Sequence, residues 1–265
     1  MPELPEVELV RLELQPVMEG ARFESVILNR PNLRTAFPQD FADRLVGHSV
    51  RSLHRRGKYL LAALSSSEIL VMHLGMSGSF RVNSDADLTD PHDHVVFQMS
   101  SGATVVFNDP RRFGFINLVS PDALTARAGV GALGPEPLSE AFDGGALARA
   151  CRGRKTSLKA ALSDQRVVAG LGNIYVVEAL HRAHLSPRRR ASTIATAAGK
   201  PRESAVRLAQ AIKNVLRSAV TRGERNRLCV YDREGQRCPT RRCSGIIRRI
   251  TQSNRSTFFC PVCQR

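Results

Sequence analysis

Apolar side chains recur every three or four positions near the start of the chain, a spacing typical of one buried face of an α-helix. The positions are Leu4, Val7, Val10, Leu14 and Val17. Gly20 follows them, and a glycine just beyond the last periodic residue is a common helix end. The pattern therefore predicts a helix over residues 4–18.

The segments after this helix have the short apolar patterns that favour strands. We expect strands at 22–29, 50–64, 69–73, 94–99 and 104–107. The last two are separated by Ser100-Ser101-Gly102, which predicts a hairpin. Apart from its leading helix, the chain is therefore predicted to be largely β as far as residue 118.

The pattern changes at residues 120–137, where Pro, Gly and Ala are frequent and a linker is indicated. Helical patterns follow at 139–150, 157–162, 173–183 and 202–222. From Leu228 the chain is rich in Cys and Arg and too short to bury a core of its own. We therefore expect a β-rich domain at 1–120, a linker at 121–137, a helical domain at 138–227 and a terminal segment at 228–265.

The charge is distributed unevenly along the chain. The 265 residues include 39 Lys and Arg against 24 Asp and Glu, a formal net charge of +15. Residues 1–135 carry a net charge of −2, whereas residues 136–265 carry +17. Such an asymmetry indicates a polyanionic partner, and nucleic acid is favoured over a membrane surface.

Composition and the first residues restrict the class of protein further. Hydrophobic residues make up 42% of the chain, as in ordinary globular proteins. No apolar run approaches the roughly 18 residues of a membrane span. The acidic, proline-containing start does not resemble a secretory or transit peptide, so we expect a cytoplasmic, nucleoid-associated protein without membrane contact.

Four of the six cysteines have the spacing of a metal site. They follow the pattern Cys-x4-Cys, 16 residues, Cys-x2-Cys, and are Cys238, Cys243, Cys260 and Cys263. Two close pairs at this separation suit a tetrahedral zinc ion held by a hairpin. Two disulfides are the alternative, which the lack of a secretion signal disfavours. Four thiolates fill the coordination sphere, so one structural Zn²⁺ is expected.

Several short motifs, taken together, carry a resemblance to a known family. They are Met1-Pro2-Glu3-Leu4-Pro5-Glu6-Val7-Glu8, Arg56-Gly57-Lys58-Tyr59-Leu60, His73-Leu74-Gly75-Met76-Ser77-Gly78, Asn108-Asp109-Pro110-Arg111-Arg112-Phe113-Gly114, Gly170-Leu171-Gly172-Asn173-Ile174-Tyr175 and the cysteine hairpin. In this set and order, the chain resembles the formamidopyrimidine-DNA glycosylases, which remove oxidised purines from DNA.

The resemblance implies an α+β multidomain fold. Its parts would be an N-terminal β-sandwich with a leading helix, a helix–two-turns–helix domain and a C-terminal β-hairpin zinc finger. It also implies a base-excision repair glycosylase with apurinic/apyrimidinic lyase activity. The partner would be damaged double-stranded DNA, and we expect a monomer.

By the same resemblance, four residues are expected to be catalytic. Once Met1 is removed, Pro2 would be an N-terminal amine able to attack the sugar C1′ and form a Schiff base. Glu3 would be its acid–base partner, Lys58 the β-elimination residue and Arg255 the δ-elimination residue. The neighbouring Glu6 would contact the damaged nucleoside or orient the site, and a solvated carboxylate on the helix face is its alternative.

Further residues match family positions that contact DNA. The expected DNA contacts are His73, His92, Arg111, Arg154, Lys155 and Asn173. The turn at residues 170–173 could offer backbone N–H groups to a phosphate, with Asn173 as helix N-cap. Met76, Arg111 and Phe113 are expected to fill the gap left by the flipped-out base. For Met76 and Phe113 taken singly, packing in the core is the alternative.

The chain departs from the family pattern at two points. Members that excise 8-oxoguanine usually carry a long loop before the zinc hairpin, but here only residues 223–227 stand between the last predicted helix and Leu228. The first cysteine pair is also wider than the usual Cys-x2-Cys. Because this loop is nearly absent, an endonuclease VIII-like enzyme that prefers oxidised pyrimidines is an open alternative. A protein that binds damaged DNA without catalysis is a further alternative.

Overall fold

A computed structural model describes residues 2–83, 90–126, 129–222 and 228–265. The chain divides into two compact units, residues 1–132 and 133–265. The predicted α+β class is confirmed: the first unit is rich in antiparallel sheet, and the second is helical with a terminal hairpin. No helix within the described ranges is long and apolar enough to cross a membrane.

The first unit consists of a leading helix, two sheets and a short final helix. The helices are α1 (Leu4–Met18) and α2 (Pro121–Ala126), and the strands are β1 (Phe23–Leu28), β2 (Val50–Arg56), β3 (Tyr59–Leu64), β4 (Ile69–His73), β5 (Ser79–Asn83), β6 (Asp93–Met99), β7 (Thr104–Asn108) and β8 (Phe115–Val119). One sheet has the order β1-β6-β7-β5 and the other β2-β3-β4-β8, both antiparallel. The predicted hairpin is the β6–β7 pair.

The core of the first unit lies between these two sheets. Phe23 and Phe97 from the first sheet are fully buried, and their rings meet edge to face at 5.4 Å. Leu60 from the second sheet joins the same apolar cluster. Each such side chain contributes about 1.5–3 kcal/mol through burial. This core gives the loops at the sheet ends a rigid support.

Residues 50–64, predicted as one strand, form two strands joined by a tight turn. Gly57 has φ of 58°, a left-handed conformation that glycine adopts without steric cost. The chain reverses there, and Arg56 pairs with Tyr59 across the turn. Lys58 therefore lies in a turn, not within a strand.

The second unit is a set of helices followed by a hairpin. Its helices are α3 (Gly144–Cys151), α4 (Leu158–Ser163), α5 (Asn173–Arg182), a 3₁₀ helix (Ala191–Ile194) and α6 (Glu203–Arg222), and its strands are β9 (Arg248–Gln252) and β10 (Arg255–Phe259). The helix predicted from residue 139 begins only at Gly144, because Asp143 caps it by accepting the Ala146 N–H at 2.7 Å.

The terminal hairpin is closed by a two-residue loop, Ser253-Asn254. Both residues have positive φ, 50° and 57°, as in the type I′ turns that suit twisted hairpins. Val177 of α5 packs into the hairpin's small apolar cluster with Ile247 and Phe258. The hairpin therefore rests on α5 and shares its core.

Candidate active site and DNA-contact residues

The predicted nucleophile and its acid–base partner lie immediately before α1. Pro2 is half-buried, and Glu3 is 2% exposed. The Glu3 N–H donates to Oε2 of Glu6 at 2.8 Å, which is one half of a capping box. Glu6 is thus tied to the helix start and is half-buried there.

Helix α1 is fastened to strand β2 by two carboxylates. Arg55 Nε donates to Glu8 Oε2 at 2.7 Å, and the Leu53 N–H donates to Glu19 Oε1 at 2.6 Å. The same Arg55 side chain donates from Nη1 to the Gly57 carbonyl at 3.1 Å. One guanidinium therefore links the helix that follows Pro2 to the turn that carries Lys58.

His73 ends strand β4, where it pairs with Tyr59 at the start of β3. Its ring stacks on Phe115 with centroids 5.5 Å apart, and its Nδ1 accepts the Gly75 N–H at 3.0 Å. Burial, helped by the charges of Lys58 and Arg34, lowers the pKa of His73 to about 4. At neutral pH the ring is therefore uncharged, with its proton on Nε2.

The three predicted gap-filling residues come from two adjoining turns. Met76 lies between β4 and β5, and Arg111 and Phe113 lie between β7 and β8. Met76 is 41% exposed and Phe113 42% exposed, so the alternative of core packing is wrong for both. The Arg111 guanidinium lies 4.9 Å from the Phe113 ring centroid. His92, half-buried, precedes β6 in the same unit.

Arg255 is the first residue of β10, directly after the Ser253-Asn254 loop. It lines a cavity of about 330 Å³ together with Lys159, Ser163 and Asp164. Lys159 is 1% exposed, and its pKa is lowered by burial and by the charge of Arg255. Two cations and one carboxylate thus face one small polar cavity of the second unit, and the excess of positive charge suits a phosphate.

Asn173 and the turn before it are already bonded within the second unit. The N-cap of α5 is Gly172, and the Asn173 side chain donates from Nδ2 to the Ser256 carbonyl at 2.8 Å. The predicted N-cap role of Asn173 is therefore wrong, since the residue stands at the first helical position. The Gly170 N–H donates to Gln165 Oε1 at 2.8 Å, so the fold uses one of the amides expected to face a phosphate.

Arg154 and Lys155 differ in their surroundings. Arg154 donates to Asp164 Oδ2 at 3.2 Å and to the Ala150 carbonyl at 2.8 Å. Hydrogen bonds from Arg166, and a further one from Arg154, lower the pKa of Asp164 to about 2. Lys155 is exposed on the segment before α4. A phosphate would therefore compete with Asp164 for Arg154 but not for Lys155.

The four spaced cysteines form one cluster. The Sγ atoms of Cys238, Cys243, Cys260 and Cys263 all lie within 4.8 Å of one another. The pairs Cys238–Cys263 and Cys243–Cys260 are 3.7 and 3.6 Å apart, close to the roughly 3.8 Å edge of a tetrahedron with Zn–S bonds of about 2.3 Å. These thiols fit one structural Zn²⁺. His181 Nε2 lies 3.4 Å from the Cys238 sulfur, as an outer-shell partner would.

Several buried polar residues were not singled out by any sequence motif, and three of them matter for the sites described above. They are Asp109, Lys159 and Glu178, with exposures of 0%, 1% and 1%. Asp109 belongs to the motif at residues 108–114, and Lys159 follows the predicted DNA contacts at 154 and 155. Their burial depends on tertiary packing, so the local sequence gave no signal of it. Glu178 accepts the N–H groups of residues 229–231 at 2.8–2.9 Å, a contact across more than fifty residues.

Comparison with known protein families covers nearly the whole chain. Residues 1–116 match the formamidopyrimidine-DNA glycosylase N-terminal domain, residues 133–228 the H2TH domain of the same glycosylases, and residues 235–265 the zinc finger found in FPG and IleRS. This combination defines a base-excision repair DNA glycosylase with a structural zinc finger.

Individual relatives agree with the domain matches. The chain is 56% identical to the formamidopyrimidine-DNA glycosylase of Rhodopseudomonas palustris (strain BisA53) and 54% identical to that of Bradyrhizobium sp. (strain ORS 278), each over 100% of both chains. The chain belongs to the formamidopyrimidine-DNA glycosylase family, as the sequence motifs predict.

Solved structures give the same result. The Lactococcus lactis formamidopyrimidine-DNA glycosylase, bound non-covalently to DNA containing an AP site, superposes with a TM-score of 0.88 at 32% identity over 99% of both chains. A mutant of that protein in complex with DNA containing Fapy-dG also gives 0.88, at 31% identity over 100% of both chains. The solved neighbours are thus bound to damaged or abasic DNA.

Proposed function

We propose that this protein excises oxidised purines from double-stranded DNA and then cleaves the strand at the resulting abasic site. The observation that carries the proposal is the helix start. Pro2 directly precedes the buried Glu3, just before a helix that two carboxylates fasten to the sheet next to the Lys58 turn. This arrangement supports an amine nucleophile held at a fixed position relative to a cation.

In the proposed reaction, the Pro2 nitrogen, free once Met1 has been removed, attacks C1′ of the damaged nucleotide. The glycosidic bond breaks and the base leaves with the proton that the amine loses. The C1′–O4′ bond then opens as O4′ takes a proton, and an iminium links C1′ to Pro2. A free α-amine titrates near pH ~8, so part of it is a nucleophile at neutral pH. Glu3, beside the amine, exchanges protons with the sugar and the leaving group.

The strand is then cleaved in two eliminations. Loss of a C2′ proton expels the 3′ phosphate, and we assign Lys58 to this step because it lies on the turn that Arg55 couples to α1. The second elimination expels the 5′ phosphate, and we assign it to Arg255. An arginine hardly deprotonates, so Arg255 binds the phosphate and stabilises its developing charge.

We propose that the remaining site residues hold and distort the DNA. His73, His92, Arg154, Lys155 and Asn173 contact the sugar–phosphate backbone, and Met76, Arg111 and Phe113 occupy the space left by the extruded base. The exposure of Met76 and Phe113 supports this role, since an apolar wedge must be accessible to enter a base stack. We propose a monomer that acts on the bacterial chromosome.

The lesion preference is the finer part of the proposal. The alignment with the Rhodopseudomonas palustris relative spans 293 positions against 265 residues here, so this chain lacks about 28 positions of that alignment. The five-residue connection 223–227, which lies outside the described residues, is shorter than the family's loop over an extruded 8-oxoguanine. This favours formamidopyrimidines over 8-oxoguanine, with oxidised pyrimidines as the second candidate.

Borohydride trapping tests the reaction. A duplex with a formamidopyrimidine should give a covalent protein–DNA adduct, and Pro2→Gly produced with Met1 retained should give none. Binding to abasic DNA without adduct or cleavage would instead indicate a non-catalytic damage-binding protein. A panel with formamidopyrimidine, 8-oxoguanine and oxidised-pyrimidine duplexes, compared by single-turnover rate, ranks the lesions.

A further inference from the structure

Asp109 is completely buried at the point where two DNA-facing turns meet, and every polar atom it carries is bonded. Its carboxylate accepts the Ser77 hydroxyl at 2.5 Å and the Gly114 N–H at 2.7 Å. The Arg111 N–H lies 3.3 Å from Oδ1 and 3.2 Å from Ser77 Oγ. The carboxylate therefore joins residues 74–78 to residues 109–114.

The backbone of Asp109 extends the same network. Its N–H donates to the His92 carbonyl at 3.1 Å, and its carbonyl accepts the Arg112 N–H at 3.1 Å. His94 Nε2 lies 2.9 Å from that carbonyl. One residue thus connects both turns with the segment that carries His92.

The two turns are also in direct backbone contact. A Cβ added at Gly75 would come within 2.3 Å of the Gly114 nitrogen and of the Phe113 carbonyl carbon. No side chain fits between the turns at this point. Met76 and Phe113, the neighbours of these glycines, are consequently held at a fixed separation.

The conformation of the second turn requires such a restraint. Arg112 has φ of 55°, a left-handed conformation that a non-glycine residue adopts at a cost of about 1 kcal/mol or more. Such a conformation persists only where the surroundings over-determine it. The bonds from Asp109 to residues on both sides of Arg112 supply that restraint.

We propose that Asp109 is a positioning residue that holds residues 74–78 and 109–114 as one preformed wedge, called here the 76/113 wedge. Met76 and Phe113 are then already in the positions needed for insertion when the protein binds DNA. A preformed wedge avoids the entropy cost of ordering two loops at the moment of base extrusion. This inference rests on the proposed function, since it concerns how that reaction reaches its base.

A positioning role of Asp109 can be distinguished from a purely structural one, because a wedge is needed only where the bases are stacked. An abasic site in a single strand has no opposite base and no duplex stack to open. Loss of the wedge should therefore slow excision from a duplex while leaving Schiff-base formation on a single strand intact. Loss of the fold would slow both.

The test is Asp109→Asn, which keeps the shape but removes the charge and one acceptor. We expect the single-turnover excision rate on a formamidopyrimidine duplex to fall about tenfold to a hundredfold, because small misplacements carry effects of that size. The rate of borohydride trapping on a single-stranded abasic oligonucleotide should match that of the wild type. Asp43→Asn, an exposed carboxylate of the same unit, is the matched control and should leave both rates unchanged.

Two further variants keep the inference testable if Asp109→Asn folds poorly. Ser77→Ala removes one bond to the carboxylate and should slow duplex excision by about threefold to tenfold. Met76→Ala combined with Asp109→Asn should be no slower than the slower single variant, because both act on one wedge.

The inference is overturned if the duplex rates of Asp109→Asn and Ser77→Ala equal that of the wild type. It is also overturned if the duplex and single-strand rates of a variant that melts like the wild type fall together, or if the Met76 and Asp109 effects multiply. Failure of the wild type itself to form an adduct on the formamidopyrimidine duplex would instead refute the proposed function.

Discussion

His73 is a histidine that the fold keeps neutral. Its Nδ1 is occupied by the Gly75 N–H, so the ring presents only Nε2–H as a donor. Burial, with the charges of Lys58 and Arg34, lowers its pKa to about 4. A phosphate contact through this ring would thus be a neutral hydrogen bond, unaffected by pH between about 6 and 8.

The lowered pKa predicts a pH effect on stability. An unfolded histidine binds a proton near pH ~6.5, whereas His73 in the folded protein does so only near 4. Protons therefore favour the unfolded state, and stability is lost as the pH falls from 6.5 to 4. His73→Gln should lose less stability across this window, as measured by melting temperature. An equal loss in both proteins would contradict the assignment.

Single residues also show where a local pattern suffices. The cysteine spacing predicted the cluster because two close pairs in one hairpin leave few other geometries. Asn173 looked like an N-cap from its type and position, but its side chain bonds to Ser256, far along the chain. The role of Asp109 in the 76/113 wedge could not be predicted from the sequence for the same reason, since its hydrogen-bond partners come together only in the folded protein.

At the scale of elements, α1 and the Lys58 turn act as one assembly through Glu8 and Arg55. Burial would raise the pKa of Glu8, but hydrogen bonds from Arg11 and Arg55 outweigh it and the pKa is lowered. The carboxylate therefore stays charged and keeps its ion pair at neutral pH. The side chain of Arg55 is only 9% exposed, so this pair is screened less than a surface pair.

Glu8→Gln is predicted to weaken that assembly. Without the charge, Arg55 and the Gly57 carbonyl it holds become less restrained, and Lys58 moves relative to Pro2. We expect strand cleavage to slow about tenfold while base release slows less, because Lys58 is assigned to the elimination. The two products can be quantified separately by chromatography of the base and by gel. Glu13→Gln, exposed on the same helix, should behave as the wild type, and a uniform loss in Glu8→Gln would argue against the coupling.

Elements with strong periodicity were predictable, and breaks within them were not. Helix α1 and the β6–β7 hairpin follow the apolar pattern closely. The strand predicted at 50–64 contains a chain reversal that the pattern did not indicate. Apolar residues occur on both sides of the turn, and Gly57 is the one glycine in this stretch. Similarly, α3 starts later than its pattern: Asp143 caps it, whereas the Ser139 hydroxyl donates to the Glu136 carbonyl instead.

For the whole molecule, the two compact units divide the charge. No charged residue lies between 132 and 136, so the first unit carries −2 and the second +17. The second unit should therefore dominate the electrostatic part of DNA binding. The class of fold was predictable through the family motifs, whereas charge alone indicated a polyanion and would have overlooked Lys58, which lies in the unit without a positive excess.

Loss of the zinc ion should weaken DNA binding without changing the first unit. Cys260→Ser removes a fully buried ligand, and we expect loss of bound metal and at least tenfold weaker binding to abasic duplex at fixed salt. Cys229→Ser, a half-buried cysteine outside the cluster, is the control and should retain one zinc per chain. Metal analysis and fluorescence anisotropy measure the two effects. Full metal content in Cys260→Ser would disprove the site.

Glu178 binds the backbone N–H groups of residues 229–231, and this affects how the chain tolerates a change in length just before them. Because residues 229–231 are fixed to α5, the zinc hairpin starts from a defined point whatever precedes it. Doubling the length of a connecting loop costs only about 0.6 kcal/mol of closure entropy. The segment before Leu228 can thus shorten or lengthen during evolution with the hairpin undisturbed, and a longer segment could be grafted there without redesigning the fold.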